Sequence, residues 1–315
     1  MIAPRIVFLD VSTLGDVENI SLIKELGSYK GFEYTPFEQR IERSRNADII
    51  ITNKVVIDKE LMDACSDLKL ICIAATGMNN VDLNYAKKKE IEVKNVAGYS
   101  TESVTQSTFS MLFYLLHHHR YYDDYVRSGS YIKSPVFTHP GPGFWELNNK
   151  TFGIIGMGAI GKRVAEVATA FGSRVIYYST SGLNLDTGYE PVDLKHLLQE
   201  SDIITVHCPL NERTRDLIGL DELRLMKQEA LLLNMGRGGI VNEQALSIAI
   251  DEKLIAGAAV DVLTAEPLRS ENPLIHVKNK DSLFITPHIA WASFESRKLL
   301  VEMIALNIRD FLTQG

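Results

Sequence analysis

Cysteine is scarce in this chain, positive charge is outnumbered, and no apolar run approaches the thickness of a bilayer. Cys65, Cys72 and Cys208 stand at spacings that fit neither a disulfide framework nor a Cys-x-x-Cys metal site. Reduced, buried thiols are therefore expected. The 33 Lys and Arg face 40 Asp and Glu, for a formal net charge of -7. Such a balance argues against a nucleic-acid partner, whose footprint would be a basic stripe. It does not exclude anionic small molecules, because one local Arg can hold an anion inside an acidic protein. A spanning helix needs about 18 consecutive apolar residues, and "MIAPRIVFLD" lacks the apolar core and cleavage site of a signal peptide. A cytoplasmic protein without a membrane partner is the expectation. Solenoid repeats and low-complexity tracts are missing too.

What is present is ordinary for a globular protein: 45% hydrophobic and 23% charged residues. At 315 residues the chain exceeds the roughly 250 to 300 residues at which single cores stop growing, so two domains are expected. In the first, "RIVFLD", "DIIIT" and "LKLICIAA" read as strands buried on both faces. Between them "NISLIKEL", "DKELMDA" and "VDLNYAKKK" read as crossover helices, which implies a parallel α/β domain. "STESVTQSTFSMLFYLLHHHRYYDDYVR" reads as one long helix, with Val104, Met111, Leu115, Tyr122 and Val126 on one stripe. A Pro- and Gly-rich connection follows. A second alternation runs through "TFGIIG", "SRVIYYS", "DIITVHCP", "EALLLNMG", "AGAAVDVL" and "SLFITPH". The last helix, "SFESRKLLVEMIALNIRDFL", has Ser293 as its N-cap and is expected to return to the first domain.

"FGIIGMGAIGKRVAEVATAFGSRVIYYSTSG", residues 152–182, carries Gly-x-Gly-x-x-Gly between an expected strand and an expected helix. Gly156 permits the turn, Gly158 lets the backbone approach a pyrophosphate, and Gly161 lets helix and strand pack. The helix N-terminus beyond offers free N–H groups for phosphate. An acidic residue should follow by about 20 positions, to bind the ribose hydroxyls of NAD. Ser179 and Thr180 stand there instead, and "YSTSGLNLD" supplies no cation to hold a 2′-phosphate. Relaxed or NADP-leaning cofactor use is expected.

Three candidate groups follow later strands. Arg237 lies in the glycine-flanked "LLLNMGRGGIVNE", where its planar fork of donors matches a carboxylate. Glu266 ends "DVLTAEP" and His288 follows the strand of "FITPHIAW". A His supported by a Glu is a candidate proton donor. The run His117–His119 suggests metal, but consecutive helical residues point about 100° apart, so no metal site is expected. Trp145 and Trp291 read as packing residues, with Trp291 close enough to His288 to wall a pocket.

"GMGAIG", "NMGRGGIVNEQAL", "AAVDVLTAEP" and "TPHIAWAS", with "AATGMNNVD" in the first half, resemble the D-2-hydroxyacid dehydrogenase family over essentially the whole chain. The resemblance implies two Rossmann-like, doubly wound parallel-sheet domains with an interdomain cleft. It makes residues 1–98 plus 289–315 a substrate-binding, flavodoxin-like domain and residues 99–288 the dinucleotide-binding domain. It implies that Arg237 binds the substrate carboxylate and polarises its carbonyl. His288 would be the proton donor in reduction and the base in oxidation, with Glu266 setting its protonation. Ala75, Thr76, Gly77 and Met78 would supply backbone donors for substrate. Thr108 would approach the nicotinamide and Asp261 would hold its carboxamide end. His207, Cys208, Pro209 and Leu210 would line the adenosine side. Met157, Ala159, Ile160, Asn234, Met235 and Gly236 complete the implied NAD(H) or NADP(H) contacts.

Within the family, "ITNKVVIDKELMD", "IAATGMNNVDL" and "HIAWAS" look most like the glycerate dehydrogenase/hydroxypyruvate reductase branch. Asn53 and Lys54 would face the cleft, where Lys54 either meets a substrate oxygen or is a solvated loop lysine. Hydroxypyruvate/D-glycerate or glyoxylate/glycolate is the expected substrate pair. A phosphoglycerate-dehydrogenase-like enzyme is one alternative, disfavoured by the short stretch after the terminal helix. The formate branch is disfavoured because it replaces the Glu beside its His by Gln. A nucleotide-sensing corepressor without turnover is the rival of another class. The resemblance also implies a homodimer, formed around the helix at 101–127 and the loop after it.

Overall fold

Strands with helices on both sheet faces read as unbroken apolar runs, and such runs build both halves of this chain. The computed structural model describes residues 3–183 and 187–314. Two compact units divide it: Met1–Ser100 with Ala292–Gly315, and Thr101–Trp291. Both are parallel α/β, as the alternation of apolar runs and helical stretches requires.

The first unit holds β1 (Arg5–Phe8), β2 (Ser28–Gly31), β3 (Ile49–Thr52), β4 (Leu70–Ile73) and β5 (Glu92–Lys94). All pair in parallel, in the order β2-β1-β3-β4-β5, one of the two common doubly wound orders. β3 and β4 are buried along their whole length. Two of the crossover helices start where the sequence offers a carboxylate cap: Asp58 accepts from Leu61 N at 3.0 Å and Asp82 from Tyr85 N at 2.9 Å. Ser293 Oγ accepts from Ser296 N at 3.1 Å at the start of the helix Phe294–Gln314. That helix does return to the first unit: Asn19 Nδ2 donates to Lys298 O, and Arg297 Nη1 to Leu14 O.

The second unit holds β6 (Thr151–Ile155), β7 (Arg174–Tyr178), β8 (Glu190–Pro191), β9 (Ile203–Val206), β10 (Leu231–Asn234), β11 (Gly257–Val260) and β12 (Leu283–Ile285). Their order is β12-β11-β10-β9-β6-β7-β8, all parallel. The chain starts at β6, runs outward to β8, then crosses back to β9. That reversal beside β6 is the switch point where open α/β sheets bind ligands, outside the carboxyl ends of the strands.

The long helix expected over residues 100–127 is instead two. Thr101–Leu116 ends, His118 adopts a left-handed φ of 49°, and His119–Arg127 begins as a second helix. The physical reason lies in what each half touches. Val104, Met111 and Leu115 are in the core, whereas no residue of His119–Arg127 is buried and Val126 is exposed. At the break His117 stacks on Phe144, with ring centroids 4.4 Å apart. The three cysteines are free and buried. Among the described residues no helix is long and apolar enough to cross a membrane.

Candidate active site

The Gly-x-Gly-x-x-Gly turn follows β6 directly. Gly156 sits at φ +98°, and a Cβ there would lie 2.7 Å from Cys208 N. A Cβ on Gly161 would lie 2.2 Å from Gly156 O, so the turn closes only around glycine. At Gly158 a Cβ would meet nothing within 4 Å, which leaves the backbone open to a ligand. Gly158 caps the helix Ala159–Ala170, whose first intrahelical bond runs from Lys162 N to Gly158 O at 2.9 Å. The N–H groups of Ala159, Ile160 and Gly161 therefore have no acceptor within the helix. They form a positive helix end suited to phosphate.

Beside this turn lies a cavity of about 670 Å³, lined by Gly156, Met157, Gly158, Ser179, Thr180, His207, Cys208 and Pro209 among others. The three loops come from the carboxyl ends of β6, β7 and β9, which brings together half of the expected cofactor residues. His207 Nε2 is 2.8 Å from Thr205 Oγ1, while its Nδ1 is buried with no partner among the described residues. Burial holds the imidazole pKa far below its usual value, so the ring is neutral. A neutral, half-satisfied imidazole in the wall of this cavity, together with the open Gly158 backbone, fits a bound dinucleotide.

Arg237, Glu266 and His288 follow β10, β11 and β12, three neighbours in the sheet. Arg237 Nη1 donates to Gly236 O at 2.8 Å, and among the described residues no carboxylate pairs with the guanidinium. Asn234, 2% exposed, braces the loop by donating to Arg237 O at 3.1 Å and accepting from Gly236 N at 3.2 Å. Met235 is buried behind it. A Cβ on Gly238 would fall 2.0 Å from Leu263 C and O, so the Arg237 loop packs backbone to backbone on the turn that carries Glu266. That turn is held in two further ways. Leu263 N donates to Glu266 Oε1 at 2.9 Å, and Thr264 N to Glu243 Oε1 at 2.6 Å.

Glu266 Oε2 is 2.8 Å from His288 Nδ1. The two side chains retain 30% and 22% of their accessible surface, enough to be reached by a ligand. With Nδ1 committed to the carboxylate, Nε2 is the nitrogen left to exchange a proton. His288 itself stands at φ +56°, a left-handed conformation rare for a residue with a Cβ. The surroundings over-determine it. His288 N donates to Asp261 O at 2.8 Å. The buried Asp261 carboxylate accepts from Thr286 Oγ1 at 2.6 Å, Ile289 N at 2.8 Å and Ala290 N at 3.0 Å. Trp291 Nε1 donates to His288 O, and Ser103 and Ser107 hydroxyls donate to Ala290 O.

In the first unit the expected substrate residues also follow carboxyl ends of strands. Lys54 comes just after β3, and its N–H donates to Asp10 Oδ2 at 2.7 Å. Ala75, Thr76, Gly77 and Met78 follow β4. Thr76 Oγ1 donates to Val96 O at 3.0 Å, and Asn95 Nδ2 to Thr76 O at 2.7 Å. Thr108 is fully buried, and its hydroxyl donates to Val104 O of its own helix. His117–His119 fall at the helix break, and among the described residues no group of three or more His, Cys, Asp or Glu is placed to hold a metal ion. The part of "YSTSGLNLD" at 184–186 falls outside the described residues.

Sequence reasoning passed over Asp10, Thr286, Glu243, Ser103 and Ser107. Only Asp10 left a local signal, an acid at the end of an apolar strand. The bracing residues meet the site through backbone groups that no motif announces.

Fold and cradle together define a dinucleotide-binding α/β protein with a Glu–His pair and an Arg at one edge of its sheet. Residues 109–290 match the model of the D-isomer specific 2-hydroxyacid dehydrogenase, NAD binding domain. A hydroxypyruvate reductase from Blautia hydrogenotrophica is 35% identical over 321 residues, covering 98% of this chain and 97% of that one. An acyclic imino acid reductase solved with NADPH and D-Arg has a TM-score of 0.88 and 33% identity, over 98% of this chain and 97% of that one. A D-lactate dehydrogenase from Aquifex aeolicus, solved with NAD and lactic acid, has a TM-score of 0.84 and 28% identity, over 98% and 96%. The chain belongs to the D-isomer specific 2-hydroxyacid dehydrogenase family. It is an oxidoreductase acting on the CH–OH group of donors, with an NAD-binding domain.

Proposed function

We propose that the protein reduces a small 2-keto acid to its D-2-hydroxy acid, with hydroxypyruvate/D-glycerate and glyoxylate/glycolate as the substrate pairs. The observation that carries this reading is the 2.8 Å contact between His288 Nδ1 and Glu266 Oε2, next to a loop that presents Arg237 without a carboxylate partner among the described residues. A bound nicotinamide supplies or accepts the hydride. Arg237 holds the substrate carboxylate through its planar fork of donors and polarises the adjacent carbonyl. His288 delivers a proton from Nε2 to the carbonyl oxygen as negative charge builds there, and takes one back in oxidation. Glu266 fixes the ring by its Nδ1 and stabilises the imidazolium. Donors already in place for the developing charge need no reorganisation during the reaction.

The same proposal gives Lys54 and the backbone N–H groups of Ala75, Thr76, Gly77 and Met78 to the substrate. It gives the 670 Å³ cavity, with Thr108 and Asp261 for the nicotinamide end, to NAD(H) or NADP(H). A reducing, cytoplasmic setting accords with three free, buried thiols. A homodimer formed through the segment after residue 118 accords with the near-complete exposure of Ile132 and Phe137, at 87% and 88%. Light scattering on the purified protein tests that assembly.

A panel of hydroxypyruvate, glyoxylate, pyruvate and 3-phosphohydroxypyruvate with NADH and NADPH tests the activity. Hydroxypyruvate or glyoxylate is expected to give the highest kcat/KM. A preference for the phosphorylated acid would favour the phosphoglycerate-dehydrogenase-like reading. Tight cofactor binding without turnover across the panel would favour the nucleotide sensor.

A further inference from the structure

The cofactor cavity contains a cation that its fingerprint does not. Ser179 and Thr180 stand at the tip of β7, where a carboxylate would repel a 2′-phosphate, and Ser181 lines the same wall. Ser179 Oγ accepts from Gly182 N at 3.1 Å, and Ser181 Oγ from Leu183 N at 3.2 Å. Accepting these bonds leaves each O–H as a donor, the polarity an anion requires.

The loop after β9 also lines this cavity. Arg213 lines the cavity there and is the only cation among its described lining residues. Its loop is tightly braced. Arg213 N donates to Asn211 Oδ1 at 2.9 Å, Asn211 N to Thr214 Oγ1 at 2.8 Å, and Thr214 Oγ1 to Pro209 O at 2.7 Å. No carboxylate among the described residues pairs with its guanidinium. An Arg and three hydroxyls lining one cavity match a phosphate monoester, which takes two parallel, charge-assisted bonds from such a fork. Glu212 lines the same cavity and works against an anion, so the guanidinium has to outweigh it.

We infer that Arg213 is the residue that sets cofactor preference, by binding the 2′-phosphate of NADPH together with Ser179, Thr180 and Ser181. This rests on the reading of the cavity as the nucleotide site. It replaces the expectation of a site without a phosphate clamp: the clamp comes from a different strand's loop, out of reach of the local fingerprint.

Direct titration of the wild-type protein and Arg213→Ala with NADPH, NADH, 2′,5′-ADP and 5′-AMP tests it by calorimetry, with no substrate present. Wild type should bind NADPH, and 2′,5′-ADP over 5′-AMP, about tenfold or more tightly, the scale of one hydrogen-bonded charge pair. Arg213→Ala should erase most of that advantage while leaving NADH within about twofold, and Glu212→Gln should increase it. Equal affinities in the wild type, or an equal loss for both cofactors in Arg213→Ala, would overturn the inference. Absence of turnover with any keto acid, alongside the expected affinities, would sink the dehydrogenase reading and leave this one standing.

Discussion

Each of the two sheets ends in a buried aspartate that grips the loop of another strand. In the first unit Asp10, 2% exposed and just past β1, accepts from Asn53 N at 2.9 Å, Lys54 N at 2.7 Å and Thr52 Oγ1 at 3.3 Å. In the second, Asp261, also 2% exposed and just past β11, accepts from Ile289 N, Ala290 N and Thr286 Oγ1. The chemistry of the grip is the same: two backbone N–H groups and one threonine hydroxyl on a desolvated carboxylate. What it holds differs. The first sets a lysine after β3; the second sets a left-handed histidine already tied to a glutamate. On the proposed function, the same device serves a binding loop in one unit and a proton-transfer group in the other.

That difference predicts unequal damage. His288→Ala and Arg237→Ala each remove a group aimed at developing charge, and each should lower kcat/KM by about 10² to 10⁴ with the fold intact. Lys54→Ala in the first unit should act mainly on KM, by about tenfold or less. Steady-state kinetics with circular dichroism as a fold control checks both. A larger loss at Lys54 than at His288 would reverse the assignment of chemistry to the second unit.

Packing at the chemical edge leaves little slack. Alanine at Gly238 would place its Cβ 2.0 Å from the Leu263 carbonyl, so the Arg237 loop and the Glu266 turn have to separate. Overpacking of this kind destabilises by about 1–3 kcal/mol, and a displacement near 1 Å can lower turnover by about a hundredfold. Gly158→Ala is the contrast, since a Cβ there meets nothing. It should leave melting temperature unchanged and weaken cofactor binding alone.

These contrasts also mark how far sequence carries. Buried parallel strands such as Ile49–Thr52 and Leu231–Asn234 are legible because both faces are apolar. Ser28–Gly31 and Glu190–Pro191 are not, because exposed edges need no such pattern. The helix break at His118 was hidden for a similar reason, since the second half keeps helical periodicity without a core to touch. In the site, Gly156, Arg237, Glu266 and His288 sit in motifs, whereas Asp10 and Arg213 act through neighbours brought close only by sheet order. Glycine signals survive in sequence because sterics act locally; a bond between loops of different strands leaves no local trace.

Asparagine at either aspartate tests the shared grip at smaller amplitude. The new NH₂ faces a backbone donor, at a cost of about 1–3 kcal/mol in each unit. Melting temperatures should therefore fall alike. Kinetics should not: Asp261→Asn loosens the turn of His288 and should lower kcat by about tenfold, while Asp10→Asn should raise KM with kcat near wild type. Matching kcat losses would mean that both loops serve the chemical step.

The smallest effect is in pH. Burial pushes both carboxyls above the ordinary range, against the hydrogen bonds that favour their ionised forms; at Asp261 the facing His288 pulls downward as well. A carboxyl whose folded pKa is raised adds stability that is complete below its unfolded pKa, near 3.8, and is lost as pH rises through the folded value. Asparagine cannot titrate. The stability gap between wild type and Asp10→Asn or Asp261→Asn should thus be widest near pH 4 and narrow toward neutrality, as denaturant titrations across that range would show. His288→Ala should extend the window upward for Asp261 and leave that of Asp10 unchanged, because only the second aspartate faces an imidazole. A gap that widened with pH would mean that the hydrogen bonds outweigh burial, and that the two grips hold ionised carboxylates more tightly than their desolvation allows.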